Sequence, residues 1–566
     1  MKPAVVVAVI AACGIAGDTS ADPARPKLTL RLSPVCSPAG SSPGAPAEAL
    51  DVALTVPLAG ARRFELDDAI YGAPGMIELV DGIQLADARG SVPIDIARSG
   101  SLVVTPKRAI AGEATLRYRA RAVDASIKGA REGLRHDASG ISGIGMAFLL
   151  LPDSNANTTY DMQIQWDVGR CPQLTTTTTS LASAPGTLDD LRVAAFVAGN
   201  ARTFAHDQGT AHVRSTWLGT LAFDPAIASA WAARVYAAER AFFGDDDDTP
   251  YQLFIRVLAQ QGDRANGVGQ PSSFVSSVGR RTVWGPILRR NLAHEMLHRW
   301  IGQRLRLAGP DNRAMWFSEG FDVYYQGKLA LRAKLISVDE FLDTLVMLTT
   351  WQFANPHAAA SPDAIRKRFY SDDNLAVVPY TRGALYAAEL DAAIRRVSNG
   401  KRSLDDVMRE LYRAALASPD PSSSIGTRPL PATAVRAAVA HELGPAGVAR
   451  YDAVIEHGAK PEPPSDAFGP CFERVSRRYA IYDLGLDPKQ SRAHLTPHSP
   501  AAAAGVVEGD ELVAIDAPKL DAEHDVTVTV RRGGQDVVIR YRPAAGARDG
   551  FTWRRVAGVA DAGCSL

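Results

Sequence analysis

Two histidines and a glutamate with helical spacing are the residues of this chain whose types could do chemistry together. His294 and His298 lie four positions apart, so on a helix both imidazoles face the same side and can bind one ion. Glu295 follows the first histidine directly and lies beside that face. A zinc ion would lower the pKa of a bound water, and a carboxylate could take its proton and deliver it to a leaving amine. The pattern predicts a catalytic zinc site with Glu295 as general base.

A third ligand is expected on a second helix. Glu319 stands among apolar residues in WFSEGF (316–321), after 20 intervening residues that leave room for a turn and a returning helix. A buried glutamate is costly without a partner, and a metal ion supplies one. Two histidines and one carboxylate leave the fourth tetrahedral position open, as catalytic zinc requires. The alternative is a surface helix that carries two histidines by chance.

Length and charge limit the classes of protein that fit. The chain has 566 residues, too many for one ordinary domain, and we expect about three domains. Lys+Arg and Asp+Glu both number 62, so the formal net charge is zero. This balance gives no electrostatic reason to expect a nucleic acid or an anionic membrane as partner. The oligomeric state is left open.

The order of patterns along the chain predicts a multidomain protein. Residues 22–180 are expected to form an all-β domain, because apolar and polar side chains alternate in segments such as 27–32, 49–56, 101–106, 114–123 and 160–168. The threonine run at 175–179 is interpreted as a linker, with an edge strand as the alternative. Residues 187–460 are expected to be α-rich and catalytic, with a helix at 226–243, a strand at 251–258 and a Gly/Ser-rich loop at 262–285. A Pro-rich linker at 461–470 leads to a β-containing domain at 471–566.

Four aspartates at 245–248 follow the predicted helix. They are interpreted as a solvated turn rather than a calcium site, because no loop of spaced oxygen ligands follows them.

The N-terminus resembles an export signal over residues 1–21. Met1-Lys2 precedes an apolar run at 3–12 and then small residues, and this run is too short to span a membrane. Cleavage after Ala21 would release a periplasmic or secreted protein. Alternatively, the segment ending in Cys13 resembles a bacterial lipobox, which would give that cysteine a lipid anchor. Both interpretations predict an exported protein.

The remaining cysteines agree with export. Four of them, an even number, suggest disulfides in an exported chain. Cys36 and Cys171 bracket the first predicted domain, and Cys471 and Cys564 bracket the last. Pairing within each domain is the favoured choice among three connectivities, and four unpaired buried thiols are the alternative.

The catalytic segments resemble the glycyl aminopeptidase family, within the gluzincin zinc peptidases related to aminopeptidase N and leukotriene hydrolase. The resemblance lies in HEMLHRW (294–300), WFSEGF (316–321), PYTRGALYAAELDAAIRR (379–396) and SLDDVMREL (403–411). It implies a thermolysin-like α-rich catalytic domain, a zinc cofactor, peptide or protein substrates and aminopeptidase-like action. It also implies that Tyr380 stabilises the oxyanion of the tetrahedral intermediate, with Arg382 where the family usually has lysine.

The chain departs from this family before the predicted zinc helix. The family carries a Gly-Gly-x-Glu-His type segment whose glutamate binds the α-amino group of the substrate, and Gly267, Gly269 and Gln270 stand at the corresponding place. Gln270 can accept a hydrogen bond from an ammonium group but lacks the charge that strengthens it. A zinc endopeptidase or a dipeptide-releasing enzyme is therefore the first alternative. An exported peptide-binding protein without catalysis is the second.

The last predicted domain resembles a PDZ domain. Residues 482–486 would form its carboxylate-binding loop, followed by segments 499–501, 504–506 and 509–515. Only the short stretch 516–525 separates its middle strand from the next one, so the helix that walls the peptide groove must be vestigial. A structural or substrate-positioning module is favoured over a working peptide receptor.

Overall fold

The structure, a computed structural model, describes residues 25–564 except 37–45, 58–61, 71–72, 127–132, 154–157, 182–184, 259–264, 311, 421–422 and 424. The predicted export signal and the lipobox at Cys13 lie outside the described residues. Within them, no helix has both the length and the apolar character needed to cross a bilayer.

The N-terminal region is built of strands in three sheets. Its strands are β1 (Lys27–Cys36), β2 (Ala47–Pro57), β3 (Phe64–Asp67), β4 (Val80–Asp87), β5 (Gly90–Val92), β6 (Ile94–Arg98), β7 (Ser101–Pro106), β8 (Glu113–Arg121), β9 (Val123–Asp124), β10 (Arg135–Asp137), β11 (Gly140–Ile144), β12 (Leu151–Pro152), β13 (Asp161–Trp166) and β14 (Thr176–Thr179), followed by α1 (Leu188–Val193) and β15 (Ala195–Gly199). The sheet orders are β13-β1-β2-β8-β4-β5, β14-β15-β11-β10-β9 and β12-β3-β7-β6. The alternation seen in the sequence is confirmed, because every second residue of β1 is buried in a common core.

This β region extends beyond the predicted boundary at 180. β14 lies at the edge of its sheet and pairs with β15, which pairs in turn with β11. Leu191 and Phe196 belong to the same core as the first strands. The threonine run is therefore an edge strand rather than a linker, and the region continues to Gly199.

The central region combines one mixed sheet with a set of helices. Its elements are β16 (Arg202–Gln208), β17 (Ala211–Leu218), α2 (Pro225–Phe243), β18 (Tyr251–Leu258), β19 (Ala265–Gln270), β20 (Ser273–Gly279), α3 (Pro286–Leu297), α4 (Met315–Ser318), α5 (Gly320–Arg332), α6 (Val338–Ala354), α7 (Pro362–Arg368), α8 (Asp373–Val397), α9 (Leu404–Leu416) and α10 (Ala434–Tyr451). Local sequence explains the predicted helix near 226–243. Asp224 caps α2, Pro225 occupies its first turn, and Gly244 ends it with a φ of 62°.

The sheet runs in the order β16-β17-β18-β20-β19, with β17, β18 and β20 parallel. β19 is antiparallel to β20 and lies at the edge, with Val268 opposite Val275. The predicted loop at 262–285 is therefore wrong, because it contains this hairpin. Its glycines concealed the strand pattern, and they are needed where β19 approaches α3.

The C-terminal region divides into two parts. β21 (Phe472–Tyr482) and β25 (Ala544–Arg555) form an antiparallel pair, and Phe472, Tyr479 and Trp553 belong to the core of the central region. Between them, α11 (Pro500–Ala503), β22 (Glu511–Asp516), β23 (Val526–Arg532) and β24 (Gln535–Tyr541) surround a separate small core. Residues 517–525, all described, contain no helix. The likeness to a PDZ domain stays a prediction.

Two disulfides join Cys36 to Cys171 and Cys471 to Cys564. This is the predicted pairing within regions, and it is compatible with an exported protein.

Candidate active site

The predicted zinc helix is α3, which begins at Pro286 after the extended Gly285. His294 and Glu295 lie in its last turns, and His298 caps its C-terminal end. The two imidazole rings lie edge to face, with centroids 4.5 Å apart and an angle of 72° between their planes. The helical spacing therefore places both rings on one side of α3, as predicted.

Glu319 lies where α4 passes into α5. Its side chain reaches the two histidines, with Oε2 3.1 Å from Nε2 of His294 and 3.4 Å from Nε2 of His298. The residue is 8% exposed, so its carboxylate is held away from bulk solvent.

The geometry of these three groups fits a zinc ion. One ligand atom from each side chain lies within 4.8 Å of the others. Ligands about 2.0–2.2 Å from a tetrahedral ion are about 3.3–3.6 Å apart, close to the separations here. Burial alone would lower the pKa of His298, but Glu319 and Asp322 raise it to about 9. The cluster therefore favours positive charge at its centre.

Glu295 is held between α3 and the edge strand. It is 6% exposed, and burial raises the pKa of its carboxyl group to about 7. A Cβ on Gly267 would lie 2.6 Å from its Cγ, and a Cβ on Gly269 would lie 2.8 Å from Cβ of His298. Both glycines are required for the close approach of β19 to α3, independently of their predicted role in substrate binding.

Asp322 contacts both histidines from the side opposite Glu319, and the sequence reading missed it. Its carboxylate is fully buried, with Oδ1 2.8 Å from Nδ1 of His294 and Oδ2 3.5 Å from Nδ1 of His298. A carboxylate beside the distal imidazole nitrogen orients a metal-binding histidine and sets its tautomer. The sequence did contain a pattern that could have indicated Asp322. It lies three residues after Glu319, so both side chains fall on one face of α5.

Tyr380 lies on α8 beside the cluster. Its ring centroid is 6.0 Å from that of His294, and burial, Glu319 and Glu295 all raise the pKa of its phenol. The tyrosine therefore stays protonated as a hydrogen-bond donor. Gly320 and Gly383 bring α5 and α8 together here, because a Cβ on either would collide with the opposing backbone.

Arg382 points away from this cluster. It is 2% exposed and donates hydrogen bonds to the carbonyl oxygens of Ala358 (3.0 Å) and Ala360 (2.7 Å). Burial lowers the pKa of its guanidinium to about 10. Its contacts explain the arginine as an anchor for the loop after α6.

Gln270 ends β19 opposite Ser273 and is 4% exposed. Side chains alternate along a strand, so Gln270 lies on the other face of β19 from Gly269, which contacts α3. That face includes Val275, which packs against the N-terminal core. The role of Gln270 at the substrate amino group stays a prediction.

The aspartates at 245–248 are not a simple solvated turn. Asp245 accepts hydrogen bonds from Nε1 of Trp300 at 2.8 Å and from Arg304 at 3.0 Å. Asp247 accepts one from Arg299, which is fully buried, at 2.9 Å. Arg299 and Trp300 directly follow His298, so these ion pairs and hydrogen bonds fix the C-terminal end of α3. The sequence spacing did not indicate such distant partners.

Comparison with protein families relates the segment that carries the His-His-Glu cluster to known peptidases. The model of the M61 glycyl aminopeptidase family matches residues 288–364, which include all three candidate ligands. The resemblance noted in the sequence is thereby confirmed, and it supports a peptidase. A search of curated proteins found no match.

Solved structures give further likenesses. An aminopeptidase N family protein from Idiomarina loihiensis has a TM-score of 0.68 at 16% identity, over 93% of this chain and 98% of its own. An M1 zinc metallopeptidase from Deinococcus radiodurans has 0.48 at 19% identity, over 78% and 95%. Leukotriene A4 hydrolase from Saccharomyces cerevisiae has 0.45 at 11% identity, over 77% and 68%. The likeness to the Idiomarina loihiensis protein establishes the fold alone. The other two TM-scores are below 0.5, and nothing is concluded from them.

Proposed function

We propose that this chain is a zinc-dependent peptidase with aminopeptidase-like action. The observation that carries the proposal is the convergence of His294, His298 and Glu319 on one point, with Glu295 alongside. Zinc, when bound by these three residues, would supply a Lewis acid and a water of lowered pKa. The second alternative, a binding protein without catalysis, is disfavoured because every residue of this set is present.

The surrounding side chains have distinct roles in this proposal. Glu295 accepts the proton of the attacking water and delivers it to the amine of the leaving group. Tyr380 donates a hydrogen bond to the oxygen on which negative charge develops. Asp322 orients His294 through Nδ1, and the carbonyl oxygen of Ile301, 3.1 Å from Nδ1 of His298, orients the second imidazole. The low exposure of Glu295 and Glu319 excludes bulk water and strengthens these interactions.

The test separates metal binding from proton transfer. Wild-type protein should contain one zinc per chain and lose peptide hydrolysis with a strong chelator. Glu295→Gln should keep zinc and lose turnover, whereas His294→Ala should lose the metal. His441→Ala, a change at an exposed histidine of α10, is the matched control and should keep both zinc and turnover. Full turnover in Glu295→Gln would refute the role of this residue.

Endopeptidase or dipeptide-releasing action is the second candidate. It is favoured by Gln270, which is uncharged and lies on the face of β19 opposite Gly269. Product analysis with matched peptides, one free and one blocked at the amino terminus, separates the two candidates. Cleavage of the free peptide alone, one residue at a time, would support aminopeptidase action, and equal cleavage of both would support the endopeptidase.

A further inference from the structure

Asn291 lies one helical turn before Glu295 and contacts its carboxylate. The amide nitrogen Nδ2 of Asn291 is 3.4 Å from Oε1 of Glu295. Among the described residues, no other side chain donates a hydrogen bond to this carboxylate. Catalytic hydrogen bonds are often long before substrate binds, so this separation is compatible with a functional contact.

Ser276 on β20 contacts the other end of the same amide. Its hydroxyl oxygen lies 3.3 Å from Oδ1 of Asn291 and 2.6 Å from the carbonyl oxygen of Asn266 on β19. The serine is 2% exposed. A hydroxyl carries one proton, and the shorter distance gives it to the carbonyl oxygen of Asn266. Ser276 therefore confines the amide of Asn291 by packing against it, rather than by a second hydrogen bond.

The position is costly for an asparagine. Asparagine is a weaker helix former than alanine or leucine by roughly 0.5 kcal/mol, because its side chain competes for backbone hydrogen bonds. Here the side chain instead points along the helix to Glu295, the (i, i+4) neighbour. A hydrogen bond from this uncharged amide orients the Glu295 carboxylate without placing a positive charge beside it.

We propose that Asn291, which packs against Ser276, is a positioning residue that keeps the Glu295 carboxylate directed toward the cluster of His294, His298 and Glu319. This inference rests on the proposed function, in which Glu295 is the general base. The terminal torsion of a glutamate is broad, so a carboxylate without a partner samples orientations that cannot accept the proton. One hydrogen bond that restricts this torsion raises the fraction of productive orientations.

The test uses the full-length zinc-loaded enzyme. Asn291→Leu keeps the size of the side chain and should lower kcat about tenfold, the scale of one hydrogen bond, with KM and zinc content unchanged. Asn291→Asp removes the donor and adds a like charge, so its kcat should fall further. Asn291→Gln keeps the amide and should retain more activity than Asn291→Leu.

The double variant gives a readout that a purely structural role would not produce. Ser276→Ala should lower kcat about threefold, and adding it to Asn291→Leu should cause no further loss, because both act through one contact. Ser277→Ala, on the opposite face of β20, is the matched control and should leave kcat unchanged. Wild-type kcat in Asn291→Leu, or multiplicative losses in the double variant, would overturn the inference. A wild-type enzyme without zinc-dependent hydrolysis would instead refute the proposed function.

Discussion

Replacing Gly267 by alanine would place a methyl group against the Glu295 carboxyl group. The new Cβ would lie 2.6 Å from Cγ, 2.7 Å from Cδ and 2.8 Å from Oε1 of Glu295. Ordinary contact begins at 3.4 Å, so the glutamate must move by about 0.8 Å. These atoms are the far end of a flexible side chain, so rotation of Glu295 relieves the clash at little cost in stability. A misplacement of about 1 Å at a reacting group costs about a hundredfold in rate.

We therefore expect Gly267→Ala to fold, to bind one zinc and to lose about a hundredfold in kcat. The assay combines steady-state hydrolysis, elemental analysis and thermal unfolding. Gly285→Ala is the matched control, because its Cβ would meet nothing closer than 3.9 Å, and it should keep kcat. Near-normal kcat in Gly267→Ala would show that Glu295 is not confined by β19, and loss of zinc would show that the strain reaches the ligands instead.

Three further predictions concern the residues around the cluster. Tyr380→Phe should retain zinc and lose about a hundredfold in turnover, the scale of one oxyanion donor, and normal turnover would remove it from the mechanism. Asp322→Asn should weaken zinc affinity about 10–100-fold in competition with a chelator, because His294 loses the carboxylate beside its Nδ1, and unchanged affinity would contradict this role. Asp245→Ala should lower the free energy of unfolding by about 2 kcal/mol in chemical denaturation, since Nε1 of Trp300 loses its acceptor and Arg304 keeps only Asp247 and Tyr412. A loss below about 1 kcal/mol would mean that water replaces the carboxylate.

The positions of the three candidate metal ligands were predictable because helical geometry relates spacing along the sequence directly to distance in space. His294 and His298 are neighbours on any helix, and Glu319 needed only a helix that returns to meet them. The strands of the N-terminal region were predictable for a similar reason. Apolar and polar side chains alternate along a strand when one face of its sheet is buried. Both patterns are local.

The residues that the sequence did not reveal depend on contacts between distant segments. Asp245 and Asp247 look like a solvated turn in sequence, and only the fold brings Arg299 and Arg304 to them. Contacts between the predicted domains are hidden in the sequence for the same reason. β21 and β25 belong to the central core because their aromatic side chains pack there, a fact that strand patterns do not report.

The candidate active site depends on glycines for close packing of its elements. Gly267 and Gly269 allow β19 to lie against Glu295 and His298, and Gly320 and Gly383 allow the helices that carry Glu319 and Tyr380 to cross at backbone distance. At each position a Cβ would lie closer to a neighbour than real Cβ atoms come. At Gly320 and Gly383 the neighbour is backbone, so packing alone requires glycine, whereas at Gly267 a Cβ would displace the Glu295 side chain. A glycine pattern shared with a substrate loop therefore does not by itself indicate substrate binding. The packing requirement would persist if the chain changed its substrate, whereas a requirement at Gln270 would not.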